Sequence, residues 1–290
     1  MPRSIVPRQV KASCLFDGGY TNTVTAIAPR QFFSMLYVFE EILFKEEIMR
    51  PDPTNLMKIA GITNPLIGFY DTPDKTPFEP FIAAKHCIFS CYQGWIRGES
   101  TCLSEQTVGS IGCPGAGYWN CNVAAVPREN VAYYLAVQEG IKASADLMCQ
   151  WLANQPPYKK EHDYIVIGPL RREQYEYLKT ITFYVNPDQL SLLITGAEYH
   201  NASASHHPIT AVYGSGCGQL ATMFNDFDIP KATIGGTDIA MRPYLPSDTL
   251  AFTVTKPMFE QLCRLDETSF LNKSFWNNVQ QARVQPDKVS

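Results

Sequence analysis

Strand-like and helix-like runs alternate through the second half of the chain, and this alternation constrains the fold more than any other feature. Residues 163–167 (DYIVI) read as a strand, 171–180 as a helix, 190–195 and 209–213 as strands, and 216–224 as a helix. Residues 231–234 and 249–254 read as strands and 257–265 as a helix. Strands separated by helices of roughly ten residues favour an α/β arrangement with right-handed crossovers. The expected fold is therefore α/β: a single mixed sheet with helices packed on it.

The first half supplies mainly helices. Residues 55–60 read as a short helix closed by Gly61, and 65–70 (PLIGFY) as a buried strand. Residues 81–95 carry a helical pattern ending at Gly98, which would place Cys87 and Cys91 on one face. A long helical region runs from Pro127 to Asn154, broken at Gly140 and stopped by Pro156 and Pro157. Nearer the N-terminus, Phe32, Met35, Leu36, Phe39, Ile42 and Leu43 recur at helical spacing before Pro51 and Pro53 end the run. That apolar stripe can pack on the chain's own core or pair two copies in a homodimer. Three parts are expected: an N-terminal arm and helix (1–51), an α/β core (52–268), and a C-terminal helix with a disordered tail (269–290).

A chain of 290 residues can bury roughly three quarters of its unfolded surface, so a core this size needs no disulfide staples. The formal net charge is −4 and Lys and Arg are not clustered, which argues against a nucleic-acid partner. No apolar run approaches the roughly 20 residues of a membrane span, and the N-terminus lacks the apolar stretch of a secretory signal. The expected compartment is the cytoplasm, with no membrane partner. The nine cysteines are an odd number and, in a reducing compartment, stand as thiols, metal ligands or redox groups.

Five of those nine cysteines fall between Cys87 and Cys121. Cys113 sits in the glycine-rich stretch Gly112-Cys113-Pro114-Gly115-Ala116-Gly117, and Cys217 in Gly214-Ser215-Gly216-Cys217-Gly218. Gly112, Gly115, Gly117, Gly216 and Gly218 would let a ligand approach the backbone closely. A helix starting at Cys217 would favour its thiolate, making Cys217 and Cys113 candidate nucleophiles. The bland alternative is a packing cysteine in a turn that needs glycine for geometry alone.

A metal site on Cys87, Cys113 and Cys217, with His86 completing it, would hold zinc or an iron–sulfur cluster. The cysteine spacings match neither the paired Cys-x2-Cys knuckles of zinc nor the ferredoxin runs, so these thiols would have to converge in space. His206 and His207 lie in a small-residue loop as a lid or acid–base pair, or are merely exposed, and with Cys217 and Asn201 they compose a conceivable Cys-His-Asn set. The Gly-Ser-Gly-Cys-Gly stretch resembles a phosphate cradle but lacks the Walker lysine.

The strand at 65–70, the Cys87 segment, the Cys113-Pro114-Gly115-Ala116-Gly117 loop, the strand at 163–167 with residues 171–178, the Cys217 loop, and Gly235-Gly236-Thr237-Asp238 through Arg242 to Lys256-Pro257 together resemble a prokaryotic family. It is the uncharacterised domain of unknown function one-six-nine, also labelled ArCR. The resemblance covers roughly residues 55 to 265. It implies a soluble protein without established activity, in which cysteines like Cys87, Cys113 and Cys217 recur; Cys91, Cys102, Cys121 and the first fifty residues depart from the pattern.

The function expected is a cysteine-lined site between the two glycine–cysteine loops, holding a metal, an iron–sulfur cluster or a reactive thiol. The alternative is a non-catalytic module that binds a small ligand or an anion. The partner in either case is a small molecule or metal ion. The two thiols, Cys113 and Cys217, should then face one cavity within about 12 Å, with the helix bearing Cys87 as a wall.

Overall fold

The computed structural model describes residues 50–104, 107, 111–112, 114–120, 126–155, 158–211, 213, 216–221 and 227–284. The N-terminal helix, Cys113, Cys121 and the tail after residue 284 lie outside the described residues. Seven strands form one sheet: β1 (Ile67–Thr72), β2 (Thr101–Leu103), β3 (Tyr164–Pro169), β4 (Leu178–Val185), β5 (Ile209–Ala211), β6 (Ala232–Gly235) and β7 (Leu250–Thr255). Their spatial order is β2-β3-β1-β4-β7-β6-β5. The sheet is mixed, as expected, but only β5 and β6 run parallel, and every other pairing is antiparallel. The run of right-handed crossovers therefore reduces to one parallel connection.

Both faces of the sheet are buried. Along β4, Ile181, Phe183 and Val185 enter one core with Phe252, Val254, Met258 and Phe259, while Tyr184 points the other way into a second core with Ile165, Ile167, Trp95 and Trp119. This is the period-two alternation of a strand read on both sides. Each fully buried large apolar side chain contributes about 1.5–3 kcal/mol to folding.

The first core face is covered by α6 (Pro187–Glu198), α8 (Lys256–Cys263) and, through its buried Trp276, the C-terminal helix α9 (Ser274–Val284). Trp276 Nε1 and Gln280 Nε2 both donate to the Ile59 carbonyl at the end of α1 (Thr54–Ala60), which ties the last helix to the first described one. Gly61 closes α1 in the left-handed conformation at φ 66°, with the Ile62 amide donating back to the Met57 carbonyl. The opposite face is covered by α2 (Tyr92–Ile96), α3 (Pro114–Asn120), α4 (Arg128–Tyr133), α5 (Ala145–Ala153) and α7 (Gly216–Ala221).

Three expectations from the sequence are corrected. Residues 190–195 are not a strand but the middle of α6, whose start is a capping box in which Asn186 and Gln189 satisfy each other's amides, with Pro187 at the first position. Residues 171–180 are not one helix: a 3-10 turn (Arg172–Tyr177) gives way to β4. The helix expected over 81–95 begins only at Ile88. Before it the Ile82 amide donates to the Ser100 carbonyl and Ser90 Oγ accepts from the Lys85 amide, so residues 81–87 run as bridging chain, with His86 at φ 62°. Cys87 is extended (φ −146°, ψ 141°), and Cys87 and Cys91 do not share a helical face.

Candidate functional site

The parallel pair organises the site. Because β5 and β6 run parallel, their carboxyl ends lie at the same side of the sheet, the usual position of a ligand site in sheets of this kind. Beyond β5 come Tyr213 and α7, which carries Cys217 as its second residue; beyond β6 come Gly236, at φ 78°, and Asp238.

Hydrogen bonds from below fix α7 in place. Gln219, buried in the core, accepts the Gly236 amide at 3.0 Å and donates to Thr253 Oγ1 at 3.2 Å, while Thr180 Oγ1 donates to the Leu220 carbonyl. Gly235 is needed for this: a Cβ there would lie 2.1 Å from the Gln219 side chain. Gly216 is similarly enforced by packing, since a Cβ would come within 2.2 Å of Met241 Sδ and 2.9 Å of the Phe89 ring. The glycine expected to admit a ligand at this position instead admits two core side chains.

Asp238 holds the start of α7 from above. Its Oδ2 accepts the Gly216 amide at 2.8 Å and its Oδ1 the Ala240 amide at 2.9 Å. A carboxylate thus fills the place an anion would take, which counts against the phosphate-cradle reading of the Gly214–Gly218 stretch. Arg242 pins the same loop by donating to the carbonyls of Gly236, Thr249, Pro246 and Ser247.

Glu139 approaches from the helical layer. After α4 the chain widens into a π turn (Tyr134–Gln138) in which the Glu139 amide reaches back to the Tyr134 carbonyl, and Gly140 at φ 68° ends it. Turns of this type recur at functional sites because they re-aim one residue. The next residues touch the β5–α7 connection: Tyr213 Oη donates to the Ile141 carbonyl, and the Lys142 ammonium sits 4.1 Å from the Tyr213 ring centroid.

Burial pushes Glu139 up to about 7, with the charge of Asp238 adding to it and a hydrogen bond from Tyr134 opposing it. Asp238 is also raised, by burial first, with the amides of Gly216, Ala240 and Met241 holding it back. Glu139 therefore exchanges its proton near neutral pH, as a general acid or base must. Its folded value lies above the ordinary 4.5, so folding stability falls as pH rises from about 4.5 to about 7. Glu139→Gln should flatten that part of the stability–pH profile, stabilising the protein at pH 8 and leaving it unchanged below pH 4.5. A profile by urea unfolding that keeps its full slope in the variant would contradict the assignment.

On the inner side of α7 lies a buried phenol. Tyr184, on β4, has no exposed surface to speak of, stacks edge-on to Tyr92 with centroids 4.9 Å apart, and its hydroxyl has no hydrogen-bond partner among the described residues. Burial raises its pKa well above the ordinary value, with charge on Tyr92 and on Cys217 adding, and Cys217 belongs to the same buried core.

Cys217 itself is 5% exposed. At that burial a reagent such as iodoacetamide has little access to the thiol. Cys263 is also protected, its thiol pushed up to about 12 by burial.

The remaining candidates distribute as follows. α3, whose first turn includes Gly115 and Gly117, packs directly against α7, so the helices opened by the two glycine–cysteine loops meet. Gly115 and Gly117 are buried inside that helix and not in a loop; Gly112, at φ 73°, is exposed. Cys87 packs at the edge of the same core as Cys217, and Phe89, two residues on, lies against Gly216. The six described cysteines form no disulfide with one another.

Among the described residues the one set of three metal-ligating groups within reach of each other contains no cysteine; it is Asp71, Glu161 and His162. There Asp71 is fully buried and saturated: Oδ2 accepts from Tyr158 Oη at 2.7 Å and the Glu161 amide at 2.6 Å, and Oδ1 from the His162 amide at 2.8 Å, with His162 Nδ1 3.3 Å away. Glu161 pairs with Lys179. The cluster reads as a structural tie between β1 and the chain entering β3. His206 and His207 stand at the amino end of β5, the opposite end from Cys217, and Asn201 is spent on their loop, so the Cys-His-Asn set does not assemble.

Fold and site define a mixed-sheet α/β protein with a buried thiol and a carboxylate, Asp238, in the segments that follow its parallel strand pair. The chain belongs to the domain-of-unknown-function family DUF169, described as uncharacterised ArCR, whose model matches residues 55–264. No curated protein and no solved structure matches it. Among the described residues no helix is long and apolar enough to cross a membrane.

Proposed function

We propose that the protein binds a small organic molecule between the two glycine–cysteine loops, with Cys217 and Tyr184 at the floor of the site and Glu139 and Asp238 at its rim. Cys113, which precedes α3 in the sequence, would supply a second thiol. The observation that carries this reading is the Tyr184 hydroxyl, buried in the same core as Cys217 and without a hydrogen-bond partner among the described residues. An orphaned buried hydroxyl costs about 1–3 kcal/mol, and a ligand acceptor would remove that cost. The ligand presents an acceptor to Tyr184 and a cationic or hydrogen-bond-donating group to the two carboxyls. Glu139 can pass a proton to it.

The test is native mass spectrometry of the purified full chain with elemental analysis alongside. A retained organic mass that is lost in Tyr184→Phe and in Cys217→Ser supports the reading. Stoichiometric zinc or iron that disappears in Cys113→Ser and Cys217→Ser would replace it with a metal–thiolate centre.

A further inference from the structure

A second cavity, of about 670 Å³, opens at the other end of the parallel pair, between the end of α6, the chain leading into β5 and the start of β6. Its volume is that of an ordinary small-ligand site. Its wall carries His200, His206, His207, Lys231, Asn201 and Gln261, and among the described residues no carboxylate lines it. Glu198 stands behind the wall, where its Oε1 lies 3.2 Å from His207 Nδ1. Lys231 makes no ion pair among the described residues.

The loop that presents the histidines is already shaped. Asn201 Nδ2 donates to Glu198 Oε2 at 2.7 Å and to the carbonyls of Ser203 and His206 at 3.2 Å, and Asn201 Oδ1 accepts the Ser203 amide at 3.0 Å. His206 Nδ1 is engaged by Ser205 Oγ at 3.0 Å. Glu198 can only accept, so His207 donates from Nδ1, and its Nε2 donates to an anion when the ring is protonated. Pro208 and Pro230 stiffen the two chain segments that enter the strands.

We propose that this cavity is a binding site for a small anion, a carboxylate or phosphate compound, held by Lys231 and the His206–His207 pair. Lys231 is the one lysine or arginine among the residues lining it, and the pre-shaped loop pays little ordering entropy on binding. The site is separate from the thiol site and does not depend on it.

Inorganic phosphate and citrate are the probes. Each is titrated calorimetrically into the full chain at fixed ionic strength, maintained with sodium chloride. Saturable binding of one or both anions is expected, and which of them binds identifies the source chemistry. Lys231→Gln should weaken it roughly tenfold or more, and the His206→Gln/His207→Gln double variant should weaken it as well. Lys159→Gln, at an exposed lysine before β3, should leave it unchanged. Circular dichroism of the variants checks that they are folded. The proposal fails if neither anion saturates, or if Lys231→Gln and the double variant bind as tightly as the native chain.

Discussion

Asp71→Asn is expected to lower the unfolding free energy by about 3–5 kcal/mol. The carboxylate is fully buried, and both its oxygens face donors: Tyr158 Oη and the Glu161 amide on one, the His162 amide on the other. Whichever way an asparagine is turned, its own NH2 group points at a donor, so a repulsive contact replaces a charge-assisted one. The damage extends beyond one residue, because these contacts tie the end of β1 to the chain that enters β3, its sheet neighbour.

Urea unfolding of Asp71→Asn beside Glu161→Gln is the measurement. Glu161 is exposed and loses only its pair with Lys179, worth about 0–1 kcal/mol. Equal midpoint shifts for the two variants would refute the account. The native chain should gain no stability from added zinc or manganese, because a metal at Asp71 would have to displace donors already bound.

Arg242→Ala should be nearly as costly, at about 3 kcal/mol or more, since hydrogen bonds from a charged donor are each worth about 1.5–3 kcal/mol. The guanidinium reaches four carbonyls: Nη1 donates to Gly236 at 3.2 Å and Thr249 at 2.5 Å, and Nη2 to Pro246 and Ser247 at 2.9 Å each. Together they close the loop between β6 and β7, and that loop carries Asp238. Loss of the tie should therefore loosen the start of α7 as well as lower stability. Arg242→Lys should restore little, because one ammonium cannot span four acceptors in a planar fork. Arg97→Ala is the comparison, a side chain 66% exposed and paired only with Glu99; if Arg242→Ala costs no more than that, the tie is not structural.

Much of the sheet was legible because β1, β3, β6 and β7 are short apolar runs with turn residues on both sides. The errors have specific causes. Leu190 to Thr195 was read by its apolar density, while the signal that decides it lies upstream in Asn186, Pro187 and Gln189, a helix start written in three residues. Charged residues at 171–176 hide β4, although Thr180, Ile181, Thr182, Phe183, Tyr184 and Val185 are all β-branched or aromatic. The sequence pointed to the carboxyl end of β5 through Cys217 and its glycines. It gave no sign of Glu139, whose position depends on a π turn, or of Tyr184, whose missing partner is a property of the packed core alone. Asp238 and Arg242 stood inside the family pattern, but their roles as a helix tie and a loop clamp required three dimensions.

The place of β1 in the sheet has a consequence for how the chain is made. β1 lies between β3 and β4 and pairs with no strand near it in sequence; Ile67 is opposite Pro169 on one side and Thr182 on the other. On the ribosome it emerges long before either neighbour, with two unsatisfied edges and an apolar sequence, the combination that invites strand addition between molecules. Pairings this remote also slow folding, because the loop must close before the contacts can reward it. A chain halted before residue 164 should aggregate, and one released whole should gain most of its protection against hydrogen exchange in a late step, when β3 and β4 close around β1 together.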